Sequence, residues 1–223
     1  MNYEKYIKYK QKYNYLKYKQ FGGDINDIFP DYNDVDKSKL QITEEGLYSV
    51  SKVDGAQFTI NKIIENLGTK DIIITDGTGN VGSDTIMFGI NFKKVNSVEI
   101  KKDNFDALKN NVKQYKLKNI KVINDDINKR IKKLKQDVIY LDAPWGGINY
   151  KTMNKLKLYL GDKEILDFVL ENNKKAKLFV LKVPYNYDFE YLDNKMRDYK
   201  VIRYPYIKFD KIKYYIILIA IAS

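Results

Sequence analysis

At 223 residues with a hydrophobic fraction of 44%, the chain is long enough to bury one α/β core and too apolar to be disordered. It holds neither Cys nor His, which excludes disulfides, thiol nucleophiles, His general bases and Cys/His zinc sites, and leaves chemistry to carboxylates, Lys, Tyr, hydroxyls, backbone groups or a cofactor. The formal charge of +11, from 40 basic and 29 acidic residues, suits a polyanionic partner such as nucleic acid; with only Arg130, Arg197 and Arg203 among the cations, the lysine excess fits an AT-rich coding sequence equally well.

Residues 1–23 form a basic extension in which Tyr3, Tyr6, Tyr9, Tyr13 and Tyr18 alternate with lysines and Gly22-Gly23 ends the pattern. The spacing suits a basic amphipathic helix or a solvated tail that orders on contact. It lacks the apolar run of a secretion signal, and the longest apolar run, Tyr214 to Ala222, is about half of the ~20 residues a membrane span needs. A soluble, intracellular monomer is expected, cytoplasmic or nuclear in a host cell or associated with a virion. Residues 24–55 are acidic and turn-rich and read as a linker or wrapping segment.

From residue 56 to 223 the pattern becomes that of one domain. A helix is predicted over Gln57–Leu67, closed by Gly68. A continuous apolar strand follows at Asp71–Thr75, then a Gly-rich turn and a helix over Thr85–Ile90. Further strands are predicted at Lys94–Ile100, Ile120–Ile123, Asp137–Leu141 and Leu178–Val183, with helices over Asp103–Tyr115 and Lys163–Asn172. The tail holds two apolar runs, Val201–Phe209 and Tyr214–Ala222, joined too closely to be parallel. These elements define a doubly wound α/β fold, Rossmann-like, with a mostly parallel seven-stranded sheet ending in an antiparallel hairpin.

The first strand-to-helix turn reads Asp76-Gly77-Thr78-Gly79-Asn80-Val81-Gly82, a literal G-x-G-x-x-G. Such glycines let the backbone approach a ligand at the carboxyl end of a strand. The pattern alone fits a dinucleotide or a methyl donor, and Glu99 at the end of the second strand would accept from ribose hydroxyls in either case. Asp76 tips the balance, because a carboxylate at that turn suits a cationic methionine group better than a pyrophosphate. Asp125-Asp126, with Ile127 beside them, close the third strand, where an acid can accept from an adenine amino group. Gly77, Thr78 and Gly79 complete the candidate S-adenosylmethionine site, with Asp142 on its far side.

After the fourth strand comes Asp142-Ala143-Pro144-Trp145-Gly146-Gly147, similar to the (D/N/S)-P-P-aromatic turn of amine methyltransferases. An exocyclic base amine is a poor nucleophile, since its lone pair is delocalised into the ring, so an enzyme must aim it and accept from its protons. Asp142 and the Ala143 carbonyl are the candidate acceptors, Asp142 acting as an orienting group rather than a general base. Asp142, Pro144 and Trp145 form the candidate catalytic set, with Trp145, the sole Trp, offering a flat face to a base.

Taken in order, Glu45 to Val50, Asp76 to Phe88, Asn110 to Tyr115, Pro144 to Gly147 and Tyr150 resemble the trimethylguanosine synthase family, the RNA cap guanine-N2 methyltransferases, which share E-G-W-F/Y-S-V, D-x-x-x-G-x-G-G-N-T-I-x-F and N-N-A-x-x-Y segments. The similarity covers residues 44 to 192, and the Tyr/Lys-rich leader is similar to those on proteins of mimivirus-like giant DNA viruses. The resemblance implies a class I methyltransferase that uses S-adenosylmethionine, contacted also by Ser49 and Ser51. It implies capped RNA as partner, with Trp145 stacking on 7-methylguanosine and Tyr150 at a cap phosphate, and it requires no metal. Ala143 and Ile148 stand where the family carries prolines, and Tyr185 where it carries an Arg; Lys182 is the candidate replacement for that phosphate contact. Methylation of an internal RNA or DNA base, and an inactive methyltransferase fold that only binds RNA or the cap, are the alternatives.

Overall fold

A computed structural model describes residues 24–221, save the side chain of Ile148, together with Lys5, Tyr6, Tyr9, Lys12, Tyr13 and Leu16, which are helical. The remainder of the basic extension, including Tyr3 and Tyr18, lies outside the described residues. Helix α1 (Val53–Leu67) ends at Gly68, whose φ of 70° is the left-handed geometry that closes a helix and that a side chain would strain. The chain then alternates: β1 (Ile73–Asp76), α2 (Ser83–Asn91), β2 (Lys94–Glu99), α3 (Lys102–Gln114), β3 (Ile120–Asn124) and β4 (Val138–Leu141). A small antiparallel pair, β5 (Tyr159–Leu160) and β6 (Lys163–Glu164), precedes α4 (Ile165–Glu171), β7 (Leu178–Pro184), α5 (Phe189–Lys195), β8 (Lys200–Lys208) and β9 (Lys211–Ala220).

The seven-stranded sheet has the order β3-β2-β1-β4-β7-β9-β8. Strands β3, β2, β1, β4 and β7 are parallel and β9 runs antiparallel to both β7 and β8. This is the doubly wound sheet expected from the alternating pattern, with its hairpin at one edge. The central strands are mostly apolar because helices cover both faces: β4 and β7 are wholly buried, with Lys182 the one charge in β7. Each side chain so buried contributes about 1.5–3 kcal/mol. No helix among the described residues is long and apolar enough to cross a membrane.

One local expectation is corrected. The helix predicted from Lys163 begins at Ile165, because Glu164 caps it by accepting from the amides of Leu166 and Asp167. Of the two readings of segment 24–55, linker or wrapping segment, its packing is that of a wrapping layer. Ile25, Ile28, Phe29, Leu40, Ile42 and Leu47 share a buried cluster with Val81, Ile86 and Leu108. Asn111, fully buried, pins this layer. Its amide donates to the carbonyls of Gln41 and Val81, both at 2.8 Å, and its oxygen accepts from Gln41 N. A side chain of α3 thus joins the wrapping segment to the Gly-rich turn.

Candidate active site

The carboxyl ends of β1, β2 and β4 meet where the strand order reverses, the place at which such sheets bind ligands. Asp76 ends β1 fully buried, with Thr78 N donating to one oxygen at 3.1 Å and the Thr85 hydroxyl to the other. Burial, joined by the charges of Asp84 and Asp142, pushes its carboxyl up to about 7 against those two hydrogen bonds. The turn that follows is tied to both neighbouring strands: Gly77 N donates to Tyr140 O and Gly79 N to Val98 O, each at 2.9 Å. A Cβ at Gly77 would stand 2.6 Å from Leu141 Cδ2 and 3.0 Å from Ile127 Cγ1, and one at Gly79 would stand 2.5 Å from Ser97 Oγ. Packing on β2 and β4 therefore demands these glycines. Ile127 serves this packing, its buried side chain lying beneath the turn. Thr78 joins the two halves, its hydroxyl accepting from Asp142 N at 2.8 Å.

Glu99 ends β2 with its oxygens accepting from Asn80 N at 2.8 Å and Lys101 N at 2.7 Å. Burial holds its carboxyl above the usual range. Each oxygen keeps a second lone pair for a hydroxyl donor. Asp126 caps the short helix Ile127–Arg130 through the Asn128 amide. Ser49 reaches the Gly-rich turn from the wrapping segment, accepting from Asn80 Nδ2 at 2.8 Å.

Asp142 leads into a buried polar network that sequence reasoning reached only in part. Lys182, on β7, donates to Asp142 Oδ2 and to Ser51 Oγ, each at 2.7 Å. Ser51 in turn donates to Asp84 Oδ2 at 2.5 Å, which also accepts from the Tyr140 hydroxyl at 3.1 Å. Burial raises the Asp142 carboxyl although Lys182 opposes it, and burial would lower the Lys182 ammonium but the carboxylates of Asp142 and Asp84 outweigh it and hold it charged. The setting of Lys182 differs from an exposed phosphate contact: its side chain is 9% exposed and its ammonium is directed to Asp142. A lysine inside an otherwise apolar strand was its signal. Asp84 and Tyr140 were missed; the polar run Ser83-Asp84-Thr85, all buried in α2, is the mark that could have found Asp84.

Three carboxyl groups (Asp76, Asp84, Asp142) thus surround the Lys182 ammonium, and Asp84 Oδ1 is buried without a hydrogen bond among the described residues. Such a site fits a ligand that brings positive charge and amine donors, as the methionine end of S-adenosylmethionine does.

Beside this network lies an aromatic set. Trp145 is half-buried, with the Tyr150 ring edge-on at 5.2 Å and Tyr214 tilted at 6.4 Å. Its indole N–H is buried beside Asp142, where it favours the carboxylate, and completes no hydrogen bond among the described residues. Gly146 and Gly147 have φ of 90° and 72° with open space at both Cβ positions, so they turn the backbone and leave room beside the indole. Pro144 is exposed and Ala143 is buried in the core beneath. Asn186, which the sequence reading did not single out, staples this turn to the end of β7 by donating to Tyr150 O at 2.7 Å and Met153 O at 2.6 Å. Tyr185 packs over Tyr150 at 6.5 Å.

Comparison with known proteins gives the family and the fold. The family model described as RNA cap guanine-N2 methyltransferase matches residues 71–219. A protein of Acanthamoeba polyphaga mimivirus is 31% identical over 205 residues, covering 79% of each chain. Among solved structures, a human methyltransferase 10 domain containing protein superposes with a TM-score of 0.63 at 15% identity, over 82% of this chain and 90% of its own. A precorrin-6y C5,15-methyltransferase from Geobacter metallireducens gives 0.60 at 15% identity, over 87% and 100%. The T. thermophilus 16S rRNA N2 G1207 methyltransferase, in complex with AdoMet and guanosine, gives 0.56 at 16% identity, over 75% and 43%. These likenesses show the fold of class I Rossmann-like methyltransferases. The chain belongs to the RNA cap guanine-N2 methyltransferase family and is an S-adenosylmethionine-dependent methyltransferase.

Proposed function

We propose that this member of the family methylates the exocyclic N2 amine of a 7-methylguanosine cap on RNA, giving a di- or trimethylguanosine cap. The observation that carries the reading is the pairing of a buried, half-occupied carboxylate with a part-exposed indole. Asp142 has one oxygen engaged by Lys182, and Trp145 follows three residues later beside open space.

S-adenosylmethionine supplies, when bound, an electrophilic methyl on a positively charged sulfur. The chain's own residues then do the positioning. Asp76 and Asp84 hold the cationic end, Glu99 accepts from the ribose, and Asp126 is available to the adenine amine. Lys182 fixes Asp142 so that its other oxygen can accept an N–H of the target amine and aim the nitrogen. That is an orienting role, since the methylated amine loses its extra proton to water afterwards. A guanine stacked on Trp145 gains about 1–3 kcal/mol, and the cationic 7-methyl form gains about 0.5–2 kcal/mol more. Tyr150, edge-on to the indole, would contact a cap phosphate through its hydroxyl. We place this action inside a host cell, by a monomer.

A second reading, methylation of an internal guanine amine in RNA, is favoured by one observation. Lys182, the expected partner of a cap phosphate, is buried against Asp142. Competition separates the two. Free 7-methylguanosine triphosphate should inhibit methylation of total RNA under the cap reading, and leave it untouched if the target is internal.

A further inference from the structure

The β8–β9 hairpin rises above the site. Both β7 and β9 are paired up to Pro184 and Tyr214, at the carboxyl edge of the sheet, and β9 begins three residues earlier at Lys211. The hairpin therefore projects roughly 10 Å beyond that edge, at about 3.4 Å per residue, on the side where Asp76, Glu99 and Asp142 end their strands. Its base is continuous with the aromatic set: Tyr206 stacks on Tyr214 at 4.6 Å, and Tyr214 lies 6.4 Å from Trp145.

The tip is a two-residue turn between Lys208 and Lys211, and both of its residues, Phe209 and Asp210, have positive φ, 54° and 55°. Asn and Gly are the residues that accept such a turn without strain. Phe209 takes it at a cost, and its ring is 81% exposed. The ring belongs to no hydrophobic cluster of the described residues; the Lys208 ammonium, itself paired with Asp54, and the Lys213 ammonium lie 5.9 and 6.0 Å from its centroid. A register shift between Tyr206 and Ile207 twists the tip relative to the sheet. A strained, exposed aromatic flanked by lysines matches a base with its phosphates: the ring offers a stacking face, and the ammoniums of Lys211 and Lys213 can neutralise the backbone.

We propose that the hairpin tip docks the single-stranded RNA that carries the target base, with Phe209 as a stacking platform and Lys211 and Lys213 as phosphate contacts. The assignment rests on RNA as the substrate, and does not depend on the target being the cap.

The test measures the full chain by fluorescence anisotropy with a 3′-labelled ten-nucleotide RNA, capped and uncapped, between 50 and 200 mM salt, beside methyl transfer to a cap dinucleotide too short to reach the tip. Phe209→Asn suits the positive φ, so it should melt no lower than the parent while binding both RNAs roughly fivefold or more weakly. Lys211→Ala with Lys213→Ala should reduce the salt slope of binding by about 1.4, from two lost phosphate contacts. Both variants should keep dinucleotide turnover. Unchanged RNA affinity and salt slope in both would overturn the assignment and point to a protein partner at the tip. Loss of RNA affinity in the variants, with no dinucleotide turnover by the parent, would sustain the docking site and overturn the cap reading alone.

Discussion

Lys182 Nζ stands 2.7 Å from Asp142 Oδ2 across the β4–β7 boundary, in a pair whose side chains are 9% and 15% exposed. Neither charge is there for stability alone, because burying both costs several kcal/mol that their attraction only partly returns. Their value is geometric: Lys182 holds Asp142 at a fixed place by one of its two oxygens.

Lys182→Met should therefore cost about 3–5 kcal/mol of stability by stranding the carboxylate, and should lower kcat more than it raises the KM for the methyl donor. Adding Asp142→Asn should recover much of the stability and none of the activity. Urea unfolding of the four proteins in this cycle checks the coupling. Simple additivity would show that the pair is not the unit described.

Asp76 makes donor binding depend on pH. Its carboxyl is raised to about 7 in the free protein, so below that pH the folded state holds a proton that the ionised, donor-bound form must release. Affinity for S-adenosylmethionine should thus be constant above about pH 8 and fall towards tenfold per pH unit below 7. The same shift means that the folded state binds more protons than the unfolded chain between about pH 4 and 7, so stability of the free protein should fall as pH rises through that window. Asp76→Asn should flatten both profiles, as calorimetric titration and thermal melts can show.

Asn111 should control the wrapping segment. Asn111→Ala removes four side-chain hydrogen bonds and leaves the buried carbonyl of Val81 and the part-buried one of Gln41 without that donor, at about 1–3 kcal/mol for a buried group. Amide exchange should rise across residues 24–55 and in the Gly-rich turn together. A rise confined to α3 would contradict the bridging role.

The seven strands, and the acids at the ends of β1, β2 and β4, were legible because a buried parallel strand writes a continuous apolar run and the chemistry sits where each run stops. Asp76, Glu99 and Asp142 were found in this way. The role of Lys182 was not, since a sequence shows that a charge interrupts an apolar strand but not which carboxylate, on a strand forty residues away, neutralises it. A wrapping segment over 24–55 was one of two readings open, and its buried residues could not be picked out, because they follow no helical or strand period and short turns hold them against α2 and α3. The β5–β6 pair and the α5 helix are brief enough that capping and neighbouring contacts, rather than periodicity, define them.

Trp145 separates substrate from donor. Trp145→Ala should weaken binding of 7-methylguanosine nucleotides by the roughly 1–3 kcal/mol of one stacked base, and should change S-adenosylmethionine affinity less, since the indole borders the carboxylate network only beside Asp142 and Lys182. Trp145→Phe should recover part of that loss. Equal weakening of both ligands on titration would show that the indole serves the fold instead.

The most direct test is a mass-resolved transfer assay with S-adenosylmethionine on a 7-methylguanosine cap dinucleotide and on its unmethylated counterpart. A gain of one or two methyl masses on the 7-methylated cap alone is the expected result, and it would also count the methyls added. No gain on either cap, with donor binding intact, would contradict the cap-N2 activity and transfer the reading to an internal RNA base.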